Sequence, residues 1–246
     1  MKAMVLAAGL GTRLRPLTDS CPKALVEIDG RTLLEITLIR LRDFGVSEAI
    51  VNVHHFADMI VDYLSAKQSF GMRIEISREG VLLDTGGGLK KAAWFFLEDG
   101  VEEPFLLHNV DVLSNIDLRS MVQFHRENQA LATLAVQERE SSRYLLFDQQ
   151  GQLCGRRFES EQLTELARGV EPLRLLAFCG IHVISPQLLK LMTEEEGPFS
   201  IIDTYLRLAA RQEKIVGFRA DESYWRDLGT ADSLQQAAQD LQCGLE

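Results

Sequence analysis

The first 110 residues repeat one alternation, and it limits the fold more than any other feature of the chain. Short apolar runs at KAMVLA (2–7), EAIVNVH (48–54), MRIEIS (72–77) and PFLLHN (104–109) are strand-like, and the segments between them, at 32–44, 57–66 and 88–97, have helical spacing. Leu33, Leu34, Ile36, Ile39, Leu41 and Phe44 form the first helical stripe, and Gly45 stops it. Near-continuous apolar runs suit strands buried on both faces, and strands alternating with helices pair through crossovers. The expected fold is α/β and Rossmann-like, a mainly parallel mixed sheet flanked by helices.

After Asp117 the rhythm changes. A helix over 117–127 precedes strand-like runs at 130–137, 143–148 and 173–185, with QQGQ as a turn; helices at 186–193 and 200–211, strands at 214–219 and 223–226, and a helix from Thr230 follow. This half reads as mixed or antiparallel. No linker rich in Pro, Gly or Ser and no internal repeat divides the chain, so one domain is expected over 1–246, with a nucleotide half (about 1–116) and an acceptor half (about 117–246) meeting in a cleft. Composition excludes some functions. A formal charge of −10 argues against nucleic-acid binding, which needs a basic face. No apolar run approaches the roughly 18–20 residues of a membrane span. Cysteines at 21, 154, 179 and 243 are scattered, with no CxxC pair and no secretory leader, which suits reduced thiols in a cytoplasm.

In an open parallel sheet, ligands sit beyond the carboxyl ends of the strands. The loop after the first strand, AAGLGTRLRPLTDSCPKALVEI, carries Gly9 and Gly11, then Thr12, Arg13, Arg15 and Lys23. It is neither a dinucleotide fingerprint, since residue 14 is Leu, nor a Walker loop, which needs Gly-Lys-Ser/Thr. Glycines beside clustered cations can still hold a triphosphate. Asp111 follows the apolar strand FLLHN and Asp227 follows a short aromatic one in YWRDLGT. Each alone reads equally well as a turn residue; converging, they would suit Mg²⁺. LLDTGGGLKKA puts three glycines directly ahead of a helix, a turn whose backbone could meet a base edge. The histidines lack zinc-site spacing, and no nucleophile motif is present.

These segments together resemble the sugar-1-phosphate nucleotidylyltransferases: GLGTRLRPLTDSCPKALVEI their signature loop, DTGGG their base-proximal glycines, HNVDV and YWRDLGTADSL their metal aspartates, FCGIHVIS a sugar-side strand. The likeness spans residues 4 to 234 and implies the nucleotide-diphospho-sugar transferase fold. It assigns Arg13 to the β- and γ-phosphates, Lys23 to the α-phosphate, Asp111 and Asp227 to Mg²⁺, and the backbone around Ala8, Gly9, Gly86 and Gly87 to the base. Asn109, Arg157 and Gly180 fall on its sugar side. The implied partners are an NTP (UTP or GTP) and a sugar 1-phosphate, with the chain a monomer or homodimer. Uridylyl transfer to N-acetylmuramate 1-phosphate is the nearest match, guanylyl transfer to mannose or heptose 1-phosphate the alternative, and a non-catalytic nucleotide-sugar-binding regulator the reading of another class. Three departures stand out. Val110 replaces the usual glycine and is expected to crowd the backbone beside Asp111. The usual Tyr-Gly pair is Tyr144-Leu145, and the Glu-Lys-Pro lysine for the sugar phosphate is missing near GRRFESEQ, leaving Arg156 or Arg157 as substitutes. No C-terminal β-helix is expected.

Overall fold

The computed structural model describes residues 1–169 and 172–242; Cys243 lies outside the described residues. The first half runs β1 (Lys2–Leu6), β2 (Glu27–Ile28), β3 (Arg31–Thr32), α1 (Leu33–Phe44), β4 (Glu48–Val53), α2 (Ala57–Ala66), β5 (Arg73–Arg78), α3 (Asp84–Lys91), α4 (Ala93–Leu97), β6 (Phe105–Asn109) and β7 (Val112–Ser114). The remainder runs α5 (Leu118–Asn128), β8 (Ala132–Gln137), β9 (Arg143–Phe147), β10 (Leu153–Phe158), β11 (Leu163–Leu166), β12 (Arg174–Ile184), α6 (Gln187–Leu191), α7 (Ile201–Ala210), β13 (Ile215–Arg219), β14 (Trp225–Asp227) and α8 (Ala231–Gln242).

Strands β5, β4, β1 and β6 lie side by side and parallel, as the alternation requires. β12 is antiparallel to β6 and changes partners along its length: its last residues lie between β6 and β8, and its first pair with β9. The register shifts between Phe178 and His182, where Gly180 takes φ +73°, a conformation that favours glycine. One mixed sheet of ten strands results.

Alternation along each strand splits the core in two. Ala3, Val5 and Leu106 face a cluster containing Leu34, Leu38 and Leu41 of α1, Met121 of α5 and Leu234 of α8. Met4, Phe105 and Leu107 face the other side, with Leu89, Phe95 and Tyr205. Each large apolar side chain so buried contributes about 1.5–3 kcal/mol.

Three expectations change. The segment 88–97 is two helices, and the first begins at Asp84, so Gly86 and Gly87 lie inside α3 rather than ahead of a helix. β10 and β11 form an antiparallel hairpin that the sequence pattern did not announce, because β11 is exposed throughout and shows no apolar face. Val110 is 4% exposed and packs into the α1-side core, so its side chain does not crowd Asp111.

Candidate active site

The loop leaving β1 folds into short helical turns at Thr12–Leu14, Leu17–Asp19 and Lys23–Leu25. Gly11 is what lets it close. Its φ is +64°, a Cβ there would lie 2.9 Å from Thr18 Cγ2 and 3.0 Å from Lys23 Cβ, and its carbonyl accepts from Thr18 Oγ1 at 2.9 Å. The amides of Gly9, Gly11 and Thr12 donate to no acceptor among the described residues, which leaves them available to an anion. Arg15 turns outward to Asp19, 3.4 Å away.

Both carboxylates rest on one small ladder. β14 pairs antiparallel with β7, setting Asp227 opposite Val112, and the Leu228 amide donates to the Asp111 carbonyl at 2.8 Å. Asp111 and Asp227, 116 positions apart in sequence, therefore share a rigid mount. Each faces a cation from the glycine loop: the Lys23 ammonium donates to Asp111 Oδ2 in a nearly buried pair, and Arg13 Nη2 lies 3.6 Å from Asp227 Oδ1 in an exposed one. Gly229 keeps the second pair open, since a Cβ there would stand 2.3 Å from Arg13 Nη2 and 2.6 Å from Asp227 Oδ1. The four residues singled out for chemistry come together.

Behind the loop runs a buried polar chain. The Ala7 amide donates to Asn52 Oδ1 (2.7 Å), Asn52 Nδ2 donates to Glu79 Oε1 (2.7 Å), and the Leu83 amide donates to Glu79 Oε2 (2.9 Å). It ties the β1 loop to the segment before α3. Gly88 closes over it, its would-be Cβ 2.8 Å from both Asn52 Nδ2 and Glu79 Oε1. Sequence reasoning missed Asn52 and Glu79. An asparagine inside the apolar run IVNV was a legible signal for the first; the second had none.

A cleft of about 440 Å³ opens beside this chain, lined by Ala8, Gly9, Asn52, Leu82, Asp84, Thr85, Asn109 and Asp111 among others. Gly86 and Gly87 are not in its wall. Their amides donate to the Phe199 carbonyl at 2.9 and 3.3 Å, and Cβ atoms on them would meet the Phe199 ring at 2.4 Å and the Gly197 carbonyl at 2.7 Å. These glycines let α3 pack against the chain entering α7, and the cleft wall there is formed by Leu82, Asp84 and Thr85 instead.

A second cavity of about 540 Å³ adjoins the first at Asn109 and holds Arg13, Arg139, Arg143, Gly180, Trp225 and Asp227. Arg157 is not in its wall; it faces a neighbouring hollow and pairs with Glu159 at 2.9 Å. Arg156 is engaged by Glu165 and Asp203. Arg139 was missed in the sequence, although it lies just past the carboxyl end of β8, the edge where the other site residues were sought. A larger hollow of about 670 Å³ lies at the opposite ends of the strands, around His125, Ser185 and Lys214. Both nitrogens of His125 are satisfied there, by Thr133 and Ser185, and burial holds its pKa down to about 4. That hollow is lined by Arg126, Lys190 and Lys214 with a single carboxylate, Glu213, and so offers no pair of carboxylates.

Comparison with known proteins agrees with this geometry. The chain is 35% identical over 236 residues to the N-acetylmuramate alpha-1-phosphate uridylyltransferase of Caulobacter vibrioides, covering 92% of this chain and 91% of that one. It is 30% identical to the enzyme of the same name from Neisseria meningitidis, covering 96% of each. The mannose-1-phosphate guanyltransferase of Yarrowia lipolytica matches at 30% identity over 93% of this chain but 61% of its own. Among solved structures, UDP-glucose pyrophosphorylase complexed with UDP-glucose superposes with a TM-score of 0.77 at 17% identity, covering 98% of both chains, and HddC from Yersinia pseudotuberculosis complexed with GMP-PN with 0.74 at 20%, covering 98% of this chain and 99% of that one. These share the nucleotide-diphospho-sugar transferase fold. The family model described as nucleotidyl transferase matches residues 2–243, and with the fold and the paired charges in place the chain belongs to that family, as a sugar-1-phosphate nucleotidylyltransferase.

Proposed function

We propose that this protein transfers a uridylyl group from UTP to N-acetylmuramate 1-phosphate or a closely similar hexose 1-phosphate, releasing pyrophosphate. One observation carries the reading: two cavities meet at Asn109, one with Asp111 in its wall and the other with Asp227, and each carboxylate faces a cation of the glycine loop. Two substrates can then approach one another across the carboxylate pair. The relatives covered nearly end to end by this chain carry the N-acetylmuramate name, which favours that acceptor. Guanylyl transfer to mannose or heptose 1-phosphate is the second reading, favoured by the guanyltransferase relatives.

The nucleotide lies in the cleft beside Ala8 and Gly9, with Leu82, Asp84 and Thr85 along the base. Lys23 and Arg13 exchange their carboxylates for phosphate oxygens as it arrives, Lys23 at the α-phosphate and Arg13 at the β- and γ-phosphates. Asp111 and Asp227 would then be free to hold a divalent cation. Two carboxylates do not make a complete protein cage, and Mg²⁺ takes one or two carboxylates with phosphate oxygens and water, so the donor set fits Mg²⁺ bound together with the substrates. When bound, the metal would neutralise charge on the departing pyrophosphate. An oxygen of the sugar phosphate forms the new bond to the α-phosphorus as the bond to the pyrophosphate oxygen breaks. The nucleophile is already an anion, so no general base is required; positioning and charge neutralisation supply the catalysis. The test is pyrophosphate release across a grid of UTP, GTP, CTP, dTTP and ATP against N-acetylmuramate, N-acetylglucosamine, glucose, mannose and heptose 1-phosphates. A maximum at UTP with N-acetylmuramate 1-phosphate supports the first reading; a maximum at GTP with mannose or heptose 1-phosphate selects the second.

A further inference from the structure

The acceptor cavity contains two arginines with no ion pair among the described residues, Arg139 and Arg143; Arg143 is exposed, whereas Arg139 is half-buried. Around it, Arg13 pairs with Asp227, Arg156 with Glu165 and Asp203, and Arg157 with Glu159. Arg139 has no ion pair among the described residues, although the chain carries a formal charge of −10. Its Cζ lies over Trp225, 3.7 Å from the ring centroid; Nη2 donates to the Phe178 carbonyl at 2.9 Å and Nη1 to the Glu140 carbonyl at 3.4 Å, while its buried Nε has no partner. The platform is itself fixed, because Trp225 Nε1 donates to the Cys179 carbonyl at 2.8 Å. Burial lowers the pKa of Arg139 from the ordinary arginine value and pushes the neighbouring Cys179 thiol up to about 12, so that thiol is no counter-charge. A half-buried guanidinium carries a desolvation cost that an anion would offset.

Its position supplies that anion. Trp225 and Asp227 are two residues apart on β14, so their side chains share a face, and both line the cavity with Arg139. We propose that Arg139, braced on Trp225, seats the phosphate of the sugar 1-phosphate and takes the part of the lysine missing from segment 155–162. The inference rests on the proposed transfer reaction. It makes the seat a planar fork, able to grip two phosphate oxygens and leave the third toward the nucleotide cleft. It also moves the acceptor anchor from the β10 arginines to the loop after β8.

The test compares wild type with Arg139→Met, which keeps bulk over Trp225 without charge, Arg139→Lys, and Arg157→Ala, each checked for a wild-type melting temperature. Initial rates of pyrophosphate release are taken with UTP and N-acetylmuramate 1-phosphate, or with the best pair from the grid. Arg139→Met is expected to raise KM for the sugar phosphate at least tenfold and to change KM for the NTP less than threefold, with Arg139→Lys between it and wild type. An unchanged sugar-phosphate KM, an equal rise in both KM values, or a rise in Arg157→Ala alone overturns the assignment. Should Arg139→Met not fold, Arg139→Lys alone decides: a sugar-phosphate KM raised at least threefold with the NTP KM unmoved upholds the seat, and an unmoved KM overturns it. If wild type turns over no pair, the reaction reading has failed, and calorimetric binding of N-acetylmuramate 1-phosphate judges the seat by itself: binding lost in Arg139→Met upholds it, whereas binding retained there, or absent in wild type, overturns it.

Discussion

The chain Ala7–Asn52–Glu79–Leu83 has a donor at each end, and that fixes what the middle can be. The Ala7 amide needs Asn52 Oδ1, which turns Asn52 Nδ2 toward residue 79; the Leu83 amide arrives from the other side. Residue 79 must therefore accept twice, which an ionised carboxylate does and an amide does not. Glu79→Gln leaves two donors facing each other whichever way either amide is flipped. One charge-assisted hydrogen bond is lost and a buried donor is stranded, a cost of about 2–4 kcal/mol. For a chain of this size that lowers Tm by roughly 4–16 °C. Asn52→Asp alone sets two carboxylates against each other and should cost at least as much. The double variant restores the order, because the carboxylate introduced by Asn52→Asp would accept from both the Ala7 amide and the new glutamine, whose own oxygen accepts from Leu83. Urea midpoints of the four proteins should give a favourable coupling of about 2 kcal/mol or more, and the NTP KM should follow, since the ends of the chain, Ala7 and Leu83, adjoin Ala8 and Leu82 in the cleft wall. Simple additivity of the two single changes would refute the parity argument.

Asp111→Asn should keep the fold and lose at least about a hundredfold in kcat, because the carboxylate pair loses a charge; near-normal turnover removes Asp111 from the site. Gly87→Ala should destabilise by about 1–3 kcal/mol despite alanine's better helix propensity, because its Cβ meets the backbone carbonyl of Gly197 at 2.7 Å; thermal melts decide the sign. Stability should also fall in mild acid. Burial holds His108 and His182 at about 3 and His125 at about 4, below the unfolded histidine value near 6.5. Unfolding takes up protons in that window, so stability is full above pH 6.5 and declines below it by up to about 1.4 kcal/mol per pH unit for each histidine. A urea midpoint unchanged between pH 7 and 5 contradicts this.

The first half of the chain was legible because each strand and helix there carries its burial in its own residues: KAMVLA reads as an interior strand, and Thr32 and Gly45 mark the ends of α1, the threonine accepting from the Glu35 amide and the glycine at φ 112°. Arg13, Lys23, Asp111 and Asp227 could be singled out because strand ends are predictable places, and the structure sets them in two ion pairs. What escaped depends on distant partners. The purpose of Gly86 and Gly87 is set by Phe199 and Gly197, more than a hundred residues on, and nothing local separates a turn from a close helix packing. Val110 looked like an obstruction because alternation past a strand end could not be followed. Arg139 gains its meaning from Trp225, which lies in another element.

The shared mount of β7 and β14 has a consequence for how the protein is made. Synthesis delivers β1 through β12, with Arg13, Lys23, Asp111 and Arg139, well before residues 225–227 emerge from the ribosome. A nascent or truncated chain could build most of the sheet and hold a nucleotide, but it would lack both the second carboxylate and the aromatic rest for Arg139. Finished length is thus a condition for assembling both carboxylates, and fragments cut short of Trp225, which also strip Leu228, Leu234 and Ala237 from the core, should be less stable as well as inactive.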